Sequence, residues 1–121
     1  MSKQAKTDAI TKFLASYKTK DVATRIALFA DDIRFEDPVG SEPIVGKPAM
    51  RQYFDATIAG GWDIELKPQK IIVNGSEAAS ITEVTAGVGG NPPSVTTIVQ
   101  HFVFNDAGKF KTLRVFTDAF G

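Results

Sequence analysis

The chain has 121 residues, with fourteen basic and fourteen acidic side chains that give a formal net charge of zero. This length buries one hydrophobic core, so we predict a single domain over residues 1–121, and the balanced charge disfavours nucleic acid and anionic membranes as partners. With no cysteine and one histidine, the sequence lacks thiolate nucleophiles and any cluster of metal ligands, so we expect no metal.

The first half of the chain is predicted to be mainly helical. Apolar residues at i, i+3, i+4 and i+7 indicate an amphipathic first helix, and Asp21 is a suitable N-cap for the second. Pro48 suits the first turn of the third helix, which Gly60 ends. The predicted elements are helices over residues 4–19, 22–30 and 48–59 and strands over residues 33–37 and 44–45.

The second half has the period-2 alternation of β-strands. Asn74-Gly75 is a strong hairpin signal, and a bend is expected at Pro68. The predicted strands cover residues 62–67, 71–73, 78–86, 95–105 and 109–118. Three helices followed by a meandering antiparallel sheet predict an α+β domain.

The N-terminal segment has no apolar core of a signal peptide, and no stretch approaches the ~20 apolar residues that span a bilayer. We therefore expect a cytoplasmic protein with no membrane partner. The absence of cysteine fits a reducing compartment.

Asp37 is the first candidate for a chemical role. It ends a strand face that also carries Ile33 and Phe35, and Pro38 stops the strand directly after it. We expect Asp37 to be buried with these apolar neighbours, which would raise its pKa towards that of a general base. The alternative is an aspartate that only caps a turn.

The strand over residues 96–104 carries a second candidate. One face holds Ile98, Gln100, Phe102 and Phe104, so the Gln100 amide is expected inside an apolar surface. It either donates to a ligand carbonyl or is satisfied by a neighbouring side chain. His101 falls on the opposite, outward face.

Three runs of residues resemble the bacterial ketosteroid isomerases, or steroid delta-isomerases. The most specific is Asp37-Pro38-Val39-Gly40-Ser41-Glu42-Pro43; the others are Leu28-Phe29-Ala30-Asp31-Asp32 and His101-Phe102-Val103-Phe104-Asn105. The helices resemble the wider nuclear-transport-factor-2-like and SnoaL-like polyketide-cyclase superfamily. The resemblance covers nearly the whole chain and implies a cone-shaped curved sheet closed by three N-terminal helices over a deep pocket.

The resemblance also implies roles for individual residues. In these isomerases an aspartate, matching Asp37, moves a proton without a cofactor, and a tyrosine and a protonated aspartate hold the substrate oxygen. The matching positions here are Phe13 and Gln100, so both acidic donors are replaced. Tyr17, one helical turn after Phe13, and Tyr53, beside Phe54, are candidates for a displaced phenol; the alternative is that both are core aromatics. We count Asp37, Gln100 and Tyr17 as candidate catalytic residues.

Several apolar side chains on predicted inner faces are candidates for binding a flat, hydrophobic carbonyl compound. These candidate substrate-binding residues are Phe13, Phe54, Phe102, Val84 and Val115.

The leading hypothesis is a ketosteroid-isomerase-like enzyme with Asp37 as general base. The alternatives are a polyketide-cyclase-like enzyme and a non-catalytic module for hydrophobic ligands or dimerisation, since the isomerases' oxygen-holding donors are replaced. We expect no cofactor. The outer sheet face, with Val99, His101 and Phe116, is apolar enough to predict an interface, and the resemblance implies a homodimer through it.

Overall fold

The structure, a computed structural model, describes residues 1–118. Its helices are α1 (Lys3–Lys18), α2 (Val22–Leu28) and α3 (Lys47–Ala59). Its strands are β1 (Phe29–Glu36), β2 (Ile44–Val45), β3 (Trp62–Asn74), β4 (Glu77–Val88), β5 (Ser94–Phe104) and β6 (Phe110–Thr117).

The six strands form one curved, open sheet in the order β2-β1-β6-β5-β4-β3. The predicted α+β class, with helices on one side of a curved sheet, is confirmed. Neighbouring strands are antiparallel except for β1 and β6, which are parallel. A parallel pair needs a long connection, and here all the chain from β2 to β5 lies between the two strands.

α1 and α2 each begin directly after a side-chain N-cap, while α3 begins at Lys47, one residue before the predicted start. Ser2 Oγ accepts a hydrogen bond from the Ala5 amide at 3.0 Å, and Asp21 Oδ1 accepts one from the Thr24 amide at 3.0 Å. α2 ends two residues before the predicted end at Ala30. Phe29 already belongs to β1, because its backbone is paired with Phe110 of β6.

β3 and β4 form the hairpin that Asn74-Gly75 predicted, and Asn74 pairs with Glu77 across it. The bend expected at Pro68 falls at an irregularity of β3, but the two strands predicted on either side of it form one strand. The strand is continuous, and a register shift between Pro68 and Lys70 accommodates the proline, which has no amide hydrogen to donate.

The core lies between the helices and the concave face of the sheet, and it is dominated by phenylalanine. The fully buried phenylalanines are Phe13, Phe29, Phe35, Phe54, Phe102 and Phe110. Phe13 is the centre of this cluster, with ring centroids 5.4–6.0 Å from those of four other aromatic side chains. These rings fill one end of the space under the sheet and leave the other end open.

Candidate active site

A cavity of about 420 Å³ occupies the open end of this space. This volume is within the usual range for small-molecule sites. All three helices and five of the six strands contribute to its walls, which are mainly apolar; the apolar residues include Phe35, Phe54, Ile58, Ile64, Leu66 and Val84. Asp37, Tyr17 and Gln100 also line it, so the structure brings the three candidate catalytic residues to one cavity.

Asp37 lies just after the end of β1 and is the only carboxylate among the described residues that line this cavity. Its side chain is exposed, so the prediction that the core encloses it is wrong. The reason is that β1 ends at Glu36 and leaves Asp37 at the open cavity, which water can enter. The apolar wall still removes part of the hydration of the carboxylate, and this desolvation raises its pKa.

The environment of Asp37 does not fit a turn-capping residue. No group within residues 1–118 donates a hydrogen bond to its carboxylate. Its negative charge adds to the effect of burial in raising the pKa of both Tyr17 and Tyr53, and both phenols line the same cavity. Asp37 is thus a carboxylate beside neutral phenols and without a fixed partner.

Gln100 lies on β5 and is almost fully buried, as the alternation of the strand predicted. Behind it, Ser80 and Thr82 are hydrogen bonded to each other, and the Thr82 hydroxyl donates to Gln100 Oε1 at 2.9 Å. Gln100 Nε2 donates to no residue within 1–118, and no fully enclosed side-chain polar atom there lacks a partner. The amide nitrogen therefore reaches the cavity, and the two hydroxyls orient it as a donor.

Tyr17 occupies the helical wall of the cavity. Its ring packs edge-on against Phe13 and Phe54, with centroids at 5.4 and 6.0 Å. Desolvation raises the pKa of Tyr17 far above its usual range, while the nearby Arg25 guanidinium opposes that shift. The phenol therefore stays protonated at neutral pH and is available as a hydrogen-bond donor.

The candidate substrate-binding residues divide into two groups. Phe54, Val84 and Val115 line the cavity. Phe13 and Phe102 do not: both are fully buried in the aromatic core, with ring centroids 6.0 Å apart. Their faces were predicted correctly, but the space opposite them is filled by other phenylalanine rings. A phenol at position 13 would lie within this core.

Arg25 and Trp62 are among the cavity residues that were missed from the sequence. Arg25 of α2 is only 3% exposed and lines the cavity; its position three residues after Val22 on the buried stripe was the available signal. Trp62, at the start of β3, also lines the cavity and is 41% exposed. Its alternation with Ile64 and Leu66 was visible, but their shared role in a cavity was not.

Arg25 is held by neutral groups. Its Nε and Nη2 atoms donate to the side-chain and main-chain oxygens of Ser16 at 3.2 and 3.0 Å. Its Cζ lies 3.9 Å from the ring centroid of Tyr17 and 4.7 Å from that of Phe54. Desolvation lowers the pKa of Arg25, but an arginine starts so high that it remains a cation at neutral pH.

Within residues 1–118, no group of three or more histidine and acidic side chains is arranged to hold a metal ion. No helix in that range is both long and apolar enough to cross a bilayer.

The sequence matches the SnoaL-like domain family over residues 10–112, which is most of the chain. The chain belongs to the SnoaL-like family. The prediction of a SnoaL-like, nuclear-transport-factor-2-like domain is thereby confirmed at the level of the superfamily.

Solved structures similar to this SnoaL-like domain include enzymes and a designed binder. The epoxide hydrolase/cyclase-like enzyme SalBIII, with a role in pyran ring formation in the polyether salinomycin, has a TM-score of 0.86 at 20% identity, covering 98% of this chain and 94% of its own. An LEH-like epoxide hydrolase of M. tuberculosis has a TM-score of 0.85 at 20% identity, covering 97% and 85%. A computationally designed 17-OHP binder has a TM-score of 0.82 at 24% identity, covering 92% and 91%. At these identities the similarity establishes the fold alone.

Proposed function

We propose that this SnoaL-like domain is an acid/base enzyme that moves a proton α to a carbonyl group of a small hydrophobic ketone. One observation carries the proposal: a carboxylate with a raised pKa lines a mainly apolar cavity that also holds two neutral hydrogen-bond donors. Such a carboxylate is a stronger base than an ordinary aspartate, and the apolar walls suit a ketone. The chemistry needs no cofactor.

In this proposal Asp37 removes the α proton and returns it further along the resulting enolate. The Gln100 amide and the Tyr17 phenol donate hydrogen bonds to the oxygen where negative charge develops. Thr82 fixes the orientation of Gln100 through its 2.9 Å hydrogen bond, so the amide does not have to reorganise during the reaction. Preorganised donors of this kind commonly contribute ~10²–10³ each to the rate.

The finer form of the proposal is a ketosteroid-isomerase-like enzyme, and the Asp37–Pro43 run supports it. Phe13 offers no phenol, so Tyr17 is assigned the donor role on the helical wall. Isomerisation of a Δ5-3-ketosteroid, followed by absorbance of the conjugated product, tests this form. We expect turnover by the wild type and a loss of ~10²–10³ in Tyr17→Phe. Folded wild-type protein that gives no conjugated product would exclude the steroid form.

A polyketide-cyclase-like reaction is the second candidate, and its support is the SnoaL-like family membership together with donors on two walls of the cavity. The same Asp37 base would form an enolate whose carbon attacks a second carbonyl of the same molecule. Gln100 on the sheet and Tyr17 on α1 could then hold two oxygens at once. Cyclisation of a linear polyketide substrate, with no activity on the steroid, selects this candidate.

A non-catalytic hydrophobic-ligand module is the remaining alternative, and the replacement of both isomerase donors supports it. Tight binding of a steroid or a phenol with no turnover, unchanged in Asp37→Asn, would select this reading.

The acid limb of the activity profile is expected to lie above the range of an ordinary aspartate. Asp37 must be ionised to accept a proton, and desolvation raises its pKa, so kcat/KM should fall as pH falls through this raised value. A midpoint at or below the usual aspartate pKa of about 3.9 would contradict the assignment. The measurement is kcat/KM against pH, with circular dichroism at each pH to confirm that the protein stays folded.

We also propose that the outer sheet face pairs with a second copy of the chain. Ile81, Val99 and Phe116 are adjacent across β4, β5 and β6 and are 37%, 38% and 44% exposed, which forms an apolar row on a chain of zero net charge. Light scattering at micromolar concentration should give twice the 13.1 kDa chain mass. Val99→Lys should give the monomer mass.

The matched control is Val45→Lys, which adds the same charge at an exposed position on the edge strand β2. It should remain a dimer. A wild type that scatters as a monomer would count against the proposed pairing.

A further inference from the structure

Arg25 is a buried cation that the acid/base chemistry above does not use. It is the only buried lysine or arginine within residues 1–118. No carboxylate in that range lies within ion-pair distance of it, and Asp37 does not pair with it. Its polar partners are the two oxygens of Ser16, both neutral. The Asp21 carboxylate favours the Arg25 charge but does not contact it, and a buried charge without a contacting counterion is costly.

The guanidinium has donor capacity left for a ligand. Nε and Nη2 use one hydrogen each on Ser16, while Nη1 donates to no group within residues 1–118. Every fully enclosed side-chain nitrogen within residues 1–118 has a hydrogen-bond partner, so Nη1, which has none, is accessible. Arg25 also lines the cavity. The rings of Tyr17 and Phe54 hold the planar group in place at 3.9 and 4.7 Å. Arg25 is thus a fixed, partly unused fork of donors.

The place of Arg25 differs from that of the proposed base. The Tyr17 ring contacts the Arg25 guanidinium, and the Asp37 charge contributes to the raised pKa of the Tyr17 phenol. Asp37 follows β1, Arg25 lies on α2, and no ion pair joins the two side chains. Arg25 is therefore available to a second group of a ligand in this cavity.

We propose that Arg25 binds an anionic group of the ligand, a carboxylate in the simplest case, so that the substrate is a hydrophobic keto acid rather than a neutral ketone. The proposal rests on the proposed function only for the reacting end of the molecule. The acid group is held on the α1–α2 wall by Nη1, and the apolar body extends towards Asp37 and Gln100. A carboxylate accepting from a guanidinium makes a charge-assisted hydrogen bond, which a neutral amide of the same shape cannot match.

The test uses binding alone, so its result is independent of any turnover. Trp62 lines the cavity and is the only tryptophan of the chain, so its fluorescence reports occupancy. The probes are 2-naphthoate and 2-naphthamide, which share a flat apolar body and differ in charge at pH 7. We expect the wild type to bind naphthoate at least about tenfold more tightly than naphthamide, because of the charge-assisted hydrogen bond.

The variants assign this preference to one side chain. Arg25→Met should bind both probes equally, with naphthamide affinity unchanged, and Arg25→Lys should keep part of the preference because it keeps the charge. Lys12→Met, which removes an exposed cation of α1, is the charge-matched control and should behave as wild type. Asp37→Asn should retain the preference for naphthoate, whether or not Asp37 proves to be the catalytic base.

Equal binding of the two probes by the wild type would overturn the proposal, and this comparison stands even if Arg25→Met fails to fold. A preference that persists in folded Arg25→Met would also overturn it and leave Arg25 as a structural tie between α1 and α2. Naphthoate that gives no saturable change in fluorescence up to millimolar concentration counts against the proposal in the same way.

Discussion

Replacing Asp37 by asparagine is expected to reduce the catalysed proton transfer by ~10²–10⁴, since a positioned general base commonly contributes that much. The amide has almost the same shape as the carboxylate and cannot accept the proton. Ligand affinity measured through Trp62 should change little by comparison. The measurement is kcat and KM for the wild type and for Asp37→Asn on the same ketone substrate.

Asp32→Asn is the matched control for this change. It removes a carboxylate from an exposed position on β1, the strand that precedes Asp37, outside the cavity, and should keep wild-type kcat. An Asp37→Asn enzyme that is as active as the wild type would remove Asp37 from the mechanism and favour the binding-module reading.

Asp37→Asn is expected to lower the activity of the enzyme but to raise the stability of its fold. Because desolvation raises the pKa of Asp37 in the folded state, its ionisation opposes folding at every pH above the unfolded-state value of about 3.9. The asparagine variant should therefore unfold at a higher temperature than the wild type at pH 7. The difference should shrink as pH falls through the folded-state pKa and vanish below the unfolded one.

Phe13→Ala is expected to cost about 3–5 kcal/mol of unfolding free energy, the range for removing a large aromatic side chain from a core. Phe13 has no exposed surface and packs against Tyr17, Phe29, Phe102 and Phe110. Removing its ring leaves a void among rigid aromatic neighbours that close it only in part. Chemical denaturation gives the free energy of unfolding directly.

Phe13→Leu is the graded control for this prediction. It keeps most of the apolar volume and should show a clearly smaller loss than Phe13→Ala. A Phe13 variant with wild-type stability but weakened binding of a hydrophobic ligand would instead indicate that Phe13 lines the cavity, as the sequence analysis predicted.

Much of the site was accessible from local pattern. The alternation along β1 and β5 placed Ile33 and Phe35 inward and put Gln100 on an apolar inner face, because side chains of a strand alternate strictly between two faces. The predicted cap at Asp21 set the start of α2. These features depend on residues close together in sequence, so no knowledge of the packing was needed.

What the sequence determined by itself was therefore the fold class and which faces point inward; the tertiary structure alone decided which inward residues meet empty space. On β5, Ile98 and Gln100 line the cavity, whereas Phe102 on the same face is covered by core rings. The position of Arg25 at the cavity depends on the packing of α2 against Tyr17 and Phe54, which the local sequence does not specify. Periodicity assigns a face to a side chain, but a cavity is defined by what lies opposite, and that depends on contacts distant in sequence.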